Sequence, residues 1–490
     1  MTMKTSLFSL RPVAAALAAA LIGGCSMIPT YERPAAPVAD AFPNANAPGT
    51  VPASGAGNVA AADLQWQSFF ADGRLRALIE LALVNNRDLR VAVLNIQQAR
   101  AQYQIRGADR YPTVNAAVTG SRTPNAAGGI TSLYNAGLAV SAWEIDFFGR
   151  IASLSEVALA QYLAVEENRK AAQISLVASV AAAYLNILAD EDLLALTRQT
   201  LTTREESMKL TKLRFDNGAA SELDFRQAES LAEGARVTLA QLQRQRALDE
   251  NALVLLVGQS LPAGALPPAT AVASLTAAAN LPDVPAGLPS DLLIRRPDIR
   301  AAEQQLVASN ANIGAARAAF FPRISLTVGV GSASSQLSGL FSSGSWGWTL
   351  APQLALPIFD AGRNQAGLES AQAGRAIAVA QYEKSIQSAF REVADALAGR
   401  ATLGEQLRAQ QAQADAESQR FRLSDLRYRN GVSSYLDLLD AQRSLFAAQQ
   451  AVVQTRLARL QNQVSLYKTL GGGWSDPQVA AAPLPARQTP

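Results

Sequence analysis

Histidine is absent from this sequence of 490 residues, and cysteine occurs once, at Cys25. These two residue types supply the commonest nucleophiles, general bases and transition-metal ligands of enzymes. The sequence also lacks a glycine-rich phosphate-binding loop of the Walker type. We therefore expect no catalytic residues, no metal site and no enzyme activity.

An excess of charge of one sign is lacking as well. The sequence has 43 basic and 40 acidic residues. Proteins that bind nucleic acid concentrate Lys and Arg on one surface to neutralise phosphates. A near-neutral chain gives no electrostatic reason to expect nucleic acid as a partner.

The N-terminus has the features of an export signal. Two basic residues precede an apolar run over residues 13–22, which is too short to span a bilayer as a helix. Ile22-Gly23-Gly24-Cys25 resembles the lipobox of bacterial lipoproteins, whose cysteine is acylated and becomes the first residue. We predict a lipoprotein signal peptide over 1–24 and a covalent lipid on Cys25, with no other cofactor. By the same resemblance, Ser26 favours sorting to the outer membrane. The alternative to a lipobox is an ordinary cleaved signal followed by a chance cysteine.

The rest of the sequence contains two copies of one domain-sized unit. Residues 88–92 recur as residues 298–302 at an offset of 210, and Asn217-Gly218 recurs as Asn430-Gly431 at an offset of 213. This period is too long for a solenoid and indicates duplication of a domain. We predict an acylated tether over 25–62, repeat 1 over 63–258, a linker over 259–290, repeat 2 over 291–471 and a flexible tail over 472–490.

Each copy contains two segments in which apolar residues alternate with small or polar ones, at 113–120 and 134–143 and again at 324–331 and 346–356. Alternation over about ten residues with aromatic residues at the ends is typical of transmembrane β-strands; a soluble hairpin with one buried face is the alternative. Four strands cannot close a barrel, and an open sheet edge cannot lie in lipid. The chain must then oligomerise, and counting strands leaves a dimer, a trimer or a tetramer open.

Long helices flank these segments. Residues 150–216 contain neither proline nor glycine, and as one helix they would be roughly 100 Å long. Shorter helices are predicted at 88–110 and 221–257, and the second copy repeats the pattern at 298–320, 363–428 and 434–470. The last helix carries a heptad stripe that begins at Leu436 and includes Arg443. These two residues could therefore face either a helix seam or a lumen.

Several segments together resemble the outer-membrane factor family of tripartite efflux systems, the TolC/OprM type, and the lipobox-like sequence at Cys25 suggests its lipoprotein branch. They include Trp143-Glu144-Ile145-Asp146, Arg295-Arg296-Pro297-Asp298 and Tyr428-Arg429-Asn430-Gly431. The resemblance implies a mixed α/β membrane protein, in which a homotrimer forms a 12-stranded outer-membrane barrel continuous with a periplasmic barrel of 12 helices. It also implies a periplasmic adaptor and an inner-membrane pump of the resistance-nodulation-division (RND) type as partners, besides outer-membrane lipid.

The resemblance implies a passive exit duct for antibiotics and other small toxic compounds. Two alternatives stay open: a duct for secreted proteins, and a periplasmic coiled-coil scaffold without a pore. Within the family the periplasmic tip is closed by residues of the second helical hairpin, which correspond here to Leu436, Asp437, Asp440 and Arg443. Positions 436, 440 and 443 share one helix face. Asp224 and Tyr428 correspond to residues that connect neighbouring hairpins; the alternative for all six is an ordinary helix surface.

Overall fold

The computed structural model describes residues 26–43, 61, 63–124, 126, 128–267, 275, 281–285 and 289–474. The predicted signal peptide, Cys25 and most of the predicted C-terminal tail lie outside these residues. The described chain forms two compact units. The first contains residues 26–35, Asn95–Glu166 and Ala301–Glu383, and the second contains the remainder.

The first unit contains one antiparallel sheet to which both copies contribute. Its strands are β1 (Val114–Pro124), β2 (Ile130–Ile145), β3 (Arg323–Ser334) and β4 (Trp346–Ala355), in the order β1-β2-β3-β4. Every residue of β1 and of β4 is exposed in the single chain. A soluble hairpin would bury every second side chain on one face, so this burial pattern favours a sheet that is covered by lipid and by neighbouring chains.

The second strand pair agrees with the prediction to within a few residues, whereas the first is longer than predicted. The predicted segments 113–120 and 134–143 leave residues 121–133 between them as a loop, and this prediction is wrong at both ends. Ser121 pairs with Leu133, Arg122 with Ser132 and Thr123 with Thr131. The ladder is made by backbone groups, so it continues where side chains become polar.

The predicted helices are confirmed, with ends that differ by a few residues. They are α1 (Trp66–Phe69), α2 (Gly73–Asn85), α3 (Arg87–Ala108), α4 (Arg150–Asp216), α5 (Glu222–Val257), α6 (Pro289–Arg295), α7 (Pro297–Ala318), α8 (Arg363–Arg429) and α9 (Tyr435–Thr469). One window of 18 residues in α4 has a mean hydropathy of 1.6, which a membrane span also reaches, but half of it is buried inside the protein. We attribute the apolar window to packing against other helices.

The duplication is visible in equivalent contacts of the second unit. Asn86 Nδ2 donates to the carbonyl oxygen of Leu256 (2.9 Å), and Arg296 Nη1 donates to that of Thr469 (3.0 Å). The donors are 210 residues apart and the acceptors 213, which are the offsets of the two copies. Different side chains therefore close the same helix end in each copy.

The described part of the predicted tether is held against helices. In the first unit, Arg33 donates to both carboxylate oxygens of Glu303 on α7 (2.7 and 3.0 Å), and Tyr31 Oη donates to the same carboxylate (3.1 Å). In the second unit, Phe42 stacks on Phe390 of α8 at 5.0 Å between ring centroids. The tether is thus extended and docked along these residues. The predicted domain boundaries themselves stay predictions.

Candidate functional site at the two helical hairpin turns

The second unit contains both hairpin turns, and their backbones are built alike. The turn between α4 and α5 has Gly218 at φ +70°, and the turn between α8 and α9 has Gly431 at φ +72°. Ala219 N donates to the carbonyl of Arg214 (2.7 Å), and Val432 N donates to that of Arg427 (2.9 Å). A left-handed glycine with such a six-residue hydrogen bond is the Schellman ending of a helix, which explains why Asn-Gly occurs at both places.

The helices that follow the turns begin with different caps. Ser221 and Asp224 form a complete capping box on α5, in which Asp224 Oδ2 accepts from Ser221 Oγ (2.8 Å) and from Ser221 N (3.3 Å). Asp437 is the equivalent residue on α9, and its backbone N donates to Ser434 Oγ (3.4 Å). The Asp224 carboxylate therefore stabilises its own helix end. The Asp437 carboxylate makes no ion pair with any described residue and is exposed.

Tyr428 connects the two hairpins within one chain. Its ring is buried, lies edge-on to Tyr435 (5.4 Å between centroids) and faces the guanidinium of Arg214 on α4 (4.6 Å). Arg214 also donates to the carbonyl oxygens of Tyr428 (3.2 Å) and Arg429 (3.0 Å). Burial of an aromatic ring with a cation on its face stabilises this contact more than either feature alone.

An apolar cluster surrounds Tyr428. It contains Ala228 and Leu231 of α5 together with Tyr435, Leu438 and Leu439 of α9. Burial raises the pKa of the Tyr435 hydroxyl above its ordinary value. The cluster fixes which face of α9 points inward near the turn, and that face does not include Leu436 or Arg443.

The four residues predicted to close the tip lie together on the opposite, exposed face of α9. Leu436 is 59% exposed, which is unusual for a leucine in a long helix. Asp437, Asp440 and Arg443 are exposed as well. In the single chain these side chains therefore point away from the seam between helices, which was one of the two orientations that the heptad stripe allowed.

Asp440 forms an ion pair with Arg420 of α8, and not with Arg443. Arg420 also contacts Glu417 one turn earlier (3.2 Å), so it bridges two carboxylates on neighbouring helices. The two hydrogen-bonded carboxylates raise the pKa of Arg420, with Asp440 as the largest cause. Arg443 makes no ion pair with the described residues. The arrangement leaves one positive and one negative side chain, Arg443 and Asp437, available on the same face.

Sequence reasoning missed Arg420 and Arg214. A signal for Arg420 was present: residues 420 and 440 lie equally far before and after Asn430, and such positions face each other across an antiparallel helical hairpin. Arg214 had no comparable signal, because its partners are main-chain carbonyls of the other hairpin.

A model of the outer membrane efflux protein family matches residues 78–259 and 288–472 of this sequence. The chain belongs to the outer membrane efflux protein family. The two matched stretches correspond to the two copies described above. The predicted family is thereby confirmed.

Individual relatives cover nearly the full length of this outer membrane efflux protein. It is similar to the antibiotic efflux pump outer membrane protein ArpC of Pseudomonas putida, with 49% identity over 482 residues that cover 97% of this chain and 98% of ArpC. The toluene efflux pump outer membrane protein TtgC of the same species matches with the same identity and coverage. The open state of the MtrE outer membrane channel of Neisseria gonorrhoeae has a TM-score of 0.82 and 43% identity, with 92% of this chain and 99% of MtrE covered.

These similarities confirm the predicted fold class and the predicted class of function, an outer-membrane component of efflux. The family is a transport family, which agrees with the expectation that the protein is not an enzyme. The protein is located in the outer membrane. The roles of Leu436, Asp437, Asp440, Arg443, Asp224 and Tyr428 stay predictions.

Proposed function

We propose that this efflux protein is a homotrimeric, passive exit duct for antibiotics and other small toxic compounds. The observation that carries the proposal is the four-stranded sheet, whose edge strands β1 and β4 are exposed along their whole length. Such edges must be paired before the sheet can lie in lipid. Three chains would supply 12 strands for one closed barrel. The names of ArpC and TtgC support antibiotics and apolar solvents as cargo.

The chain offers no nucleotide-binding loop, so the energy for transport must come from elsewhere. We propose an RND-type pump of the inner membrane and a periplasmic adaptor as partners. A purified trimer that dissociates on heating, seen as a change in gel migration, would support the duct. A chain that stays monomeric in membranes would favour the pore-free scaffold instead.

The proposed gate is the exposed face of α9 with Leu436, Asp437, Asp440 and Arg443. In a trimer, this face would bring leucine, carboxylate and guanidinium groups of three chains close to one axis. The Arg420–Asp440 pair has exposed partners, 45% and 59% for the two side chains. Exposed ion pairs stabilise by about 0–1 kcal/mol, so docking of an adaptor could break this pair. The buried contact of Tyr428 with Tyr435 would keep the second hairpin of each protomer intact during opening.

Channel conductance in planar bilayers tests the gate. The double variant Asp440→Ala with Arg443→Ala should raise the single-channel conductance and make cells sensitive to large antibiotics such as vancomycin. The matched control is Glu405→Ala with Arg408→Ala, an exposed ion pair elsewhere on α8, which should leave conductance unchanged. Equal conductance in the gate variant and the wild-type trimer would place the constriction elsewhere.

Single variants separate two arrangements of the closed state. If Arg420 holds Asp440 in place, Arg420→Ala should raise conductance about as much as Asp440→Ala does. If Asp440 instead pairs with Arg443 of a neighbouring protomer, Arg443→Ala should have the larger effect.

We also propose that the mature protein carries a lipid on Cys25. The lipobox-like sequence and the absence of any other cysteine support this proposal. Cys25→Ser should abolish incorporation of labelled palmitate, with Ser26→Ala as the matched control that keeps it. Labelling that survives Cys25→Ser would contradict the proposal.

A further inference from the structure

A cavity of about 210 Å³ lies between helices α4, α8 and α9 in the second unit. Its wall includes Arg204 of α4, Phe421 of α8, and Gln442, Leu445 and Phe446 of α9. None of these residues was assigned a role by the sequence. Seven of the eleven lining residues are polar and four have large apolar side chains, so the wall offers hydrogen-bonding groups beside an apolar surface.

Arg204 is buried in this wall, and no described residue forms an ion pair with it. Its side chain donates from Nη1 to the carbonyl oxygen of Leu231 (3.2 Å), and its guanidinium lies 5.0 Å from the centroid of the Phe446 ring. The Nε–H has no acceptor in the described part of the chain, and Arg204 belongs to none of the ion pairs found there. The charged neighbour is Arg443, which has the same sign; burial first, and Arg443 second, lower the pKa of Arg204.

Gln442 supplies a second buried polar group with incomplete hydrogen bonding in the described part of the chain. Arg204 and Gln442 are each 6% exposed, and Gln442 Oε1 also has no hydrogen-bond partner among the described residues. Water can satisfy an amide oxygen or an N–H group, but it cannot neutralise a guanidinium. A buried cation is unfavourable unless an anion pairs with it, so the cavity favours an anionic occupant.

The duplication gives no counterpart of this cavity. At the offset of 213 residues, Arg204 corresponds to Glu417, Gln442 to Glu229 and Phe446 to Glu233. Packing of the hairpins therefore does not require an arginine and an aromatic ring at these places. The cavity is formed between one helix of the first copy and two helices of the second, and the residues at the duplicated positions do not reproduce it.

We propose that the cavity binds a small organic carboxylate that carries a flat apolar group. Its carboxylate would accept from Arg204 in a charge-assisted hydrogen bond, and its apolar part would pack against Phe421 and Phe446. The bound molecule would touch α4 of the first hairpin and α8 and α9 of the second. It would therefore stabilise the contact between the hairpins. This inference goes beyond the exit duct and does not depend on the gate.

Isothermal titration calorimetry of the purified full-length protein with sodium benzoate tests the proposal. Sodium concentration is held constant, and benzamide serves as the uncharged probe of the same shape. We expect saturable binding of one benzoate per chain, a higher unfolding temperature with benzoate, and binding of benzamide at least tenfold weaker. Arg204→Gln should weaken benzoate binding at least tenfold. Arg408→Gln, at an exposed arginine of α8, should leave it unchanged.

A second variant keeps the test decisive if Arg204→Gln fails to assemble. Leu445→Trp narrows the cavity without changing its charge and should also block benzoate. Absence of saturable benzoate binding to the wild-type protein would overturn the proposal, and it is the result expected if a carboxylate of a neighbouring protomer already occupies the site. Equal binding of benzoate and benzamide, or full binding by Arg204→Gln, would overturn it as well.

Discussion

Asp190→Asn should make the protein more stable at neutral pH. Asp190 is buried on α4 and faces Asp249 of α5, with Glu191 nearby. Arg246 would be the natural counter-charge, but it already donates to Glu191 (2.6 Å) and Glu250 (2.5 Å). Burial first, and then the hydrogen bond with Asp249 and repulsion from it, raise the pKa of Asp190 from 3.8 to about 7.

The sign follows from this raised pKa. The Asp190 carboxyl holds its proton more tightly in the folded state than in the unfolded state. Protonated Asp190 therefore contributes its full stabilisation to the folded state below about pH 4. This stabilisation decreases as pH rises towards 7 and is lost above that value. One pKa unit corresponds to about 1.4 kcal/mol, which gives an upper limit of roughly 4 kcal/mol per chain. Asparagine can donate a hydrogen bond to Asp249 without acquiring a charge, so the variant avoids this loss.

Thermal unfolding of the detergent-solubilised protein between pH 4.5 and pH 8 measures the effect. The difference between variant and wild type should be small at pH 4.5, grow up to about pH 7 and then level off. Glu405→Gln on the exposed surface of α8 is the control and should show no such trend. A difference that is the same at every pH, or a variant that is less stable than wild type at pH 7.5, would refute the reasoning.

Three further pairs of substitutions test the fold by measured trimer yield and unfolding temperature. Gly258→Ala should be far more damaging than Gly218→Ala. Both substitutions place alanine at positive φ, but only the first puts the new methyl group 2.4 Å from the carbonyl oxygen of Asn85. Equal effects would contradict the close contact. Val328→Arg, near the middle of β3, should cost about 2–4 kcal/mol at the membrane midplane, whereas Thr327→Arg, on the opposite face of the strand, should cost much less. Equal damage at both positions would contradict the assignment of faces. Tyr428→Ala should cost roughly 3–5 kcal/mol through loss of the buried ring. Tyr428→Phe should cost little, because the Tyr428 hydroxyl lies 3.5 Å from Thr211 Oγ1, a distance at which a hydrogen bond is weak.

Local patterns predicted most of the fold. The long helices followed from stretches without glycine or proline, the turns from Asn-Gly, and the strands of the second copy from strict alternation. The extension of β1 through Ser121, Arg122 and Thr123 was missed because the alternation fades there, while the backbone ladder does not depend on it. Side-chain patterns therefore located the strands but not their ends.

The candidate site was predicted less completely. The shared helix face of Leu436, Asp440 and Arg443 followed from helical spacing, but its exposure did not, because the heptad stripe left the seam and the lumen open. The pairing of Asp440 with Arg420 required comparing two helices across their turn. The cavity at Arg204 and Gln442 could not be found in this way, because three helices form it and no local pattern marks residues that meet only in the folded chain.

The two Schellman turns have nearly the same backbone but different chemistry, and this has a consequence for recognition. A partner that recognises main-chain shape would have two equivalent binding sites on every protomer. A partner that recognises an exposed carboxylate would have only one of these two turns available. At the two turns the divergence after the duplication lies in the side chains, so the same backbone form presents a helix-capping carboxylate at Asp224 and an exposed one at Asp437.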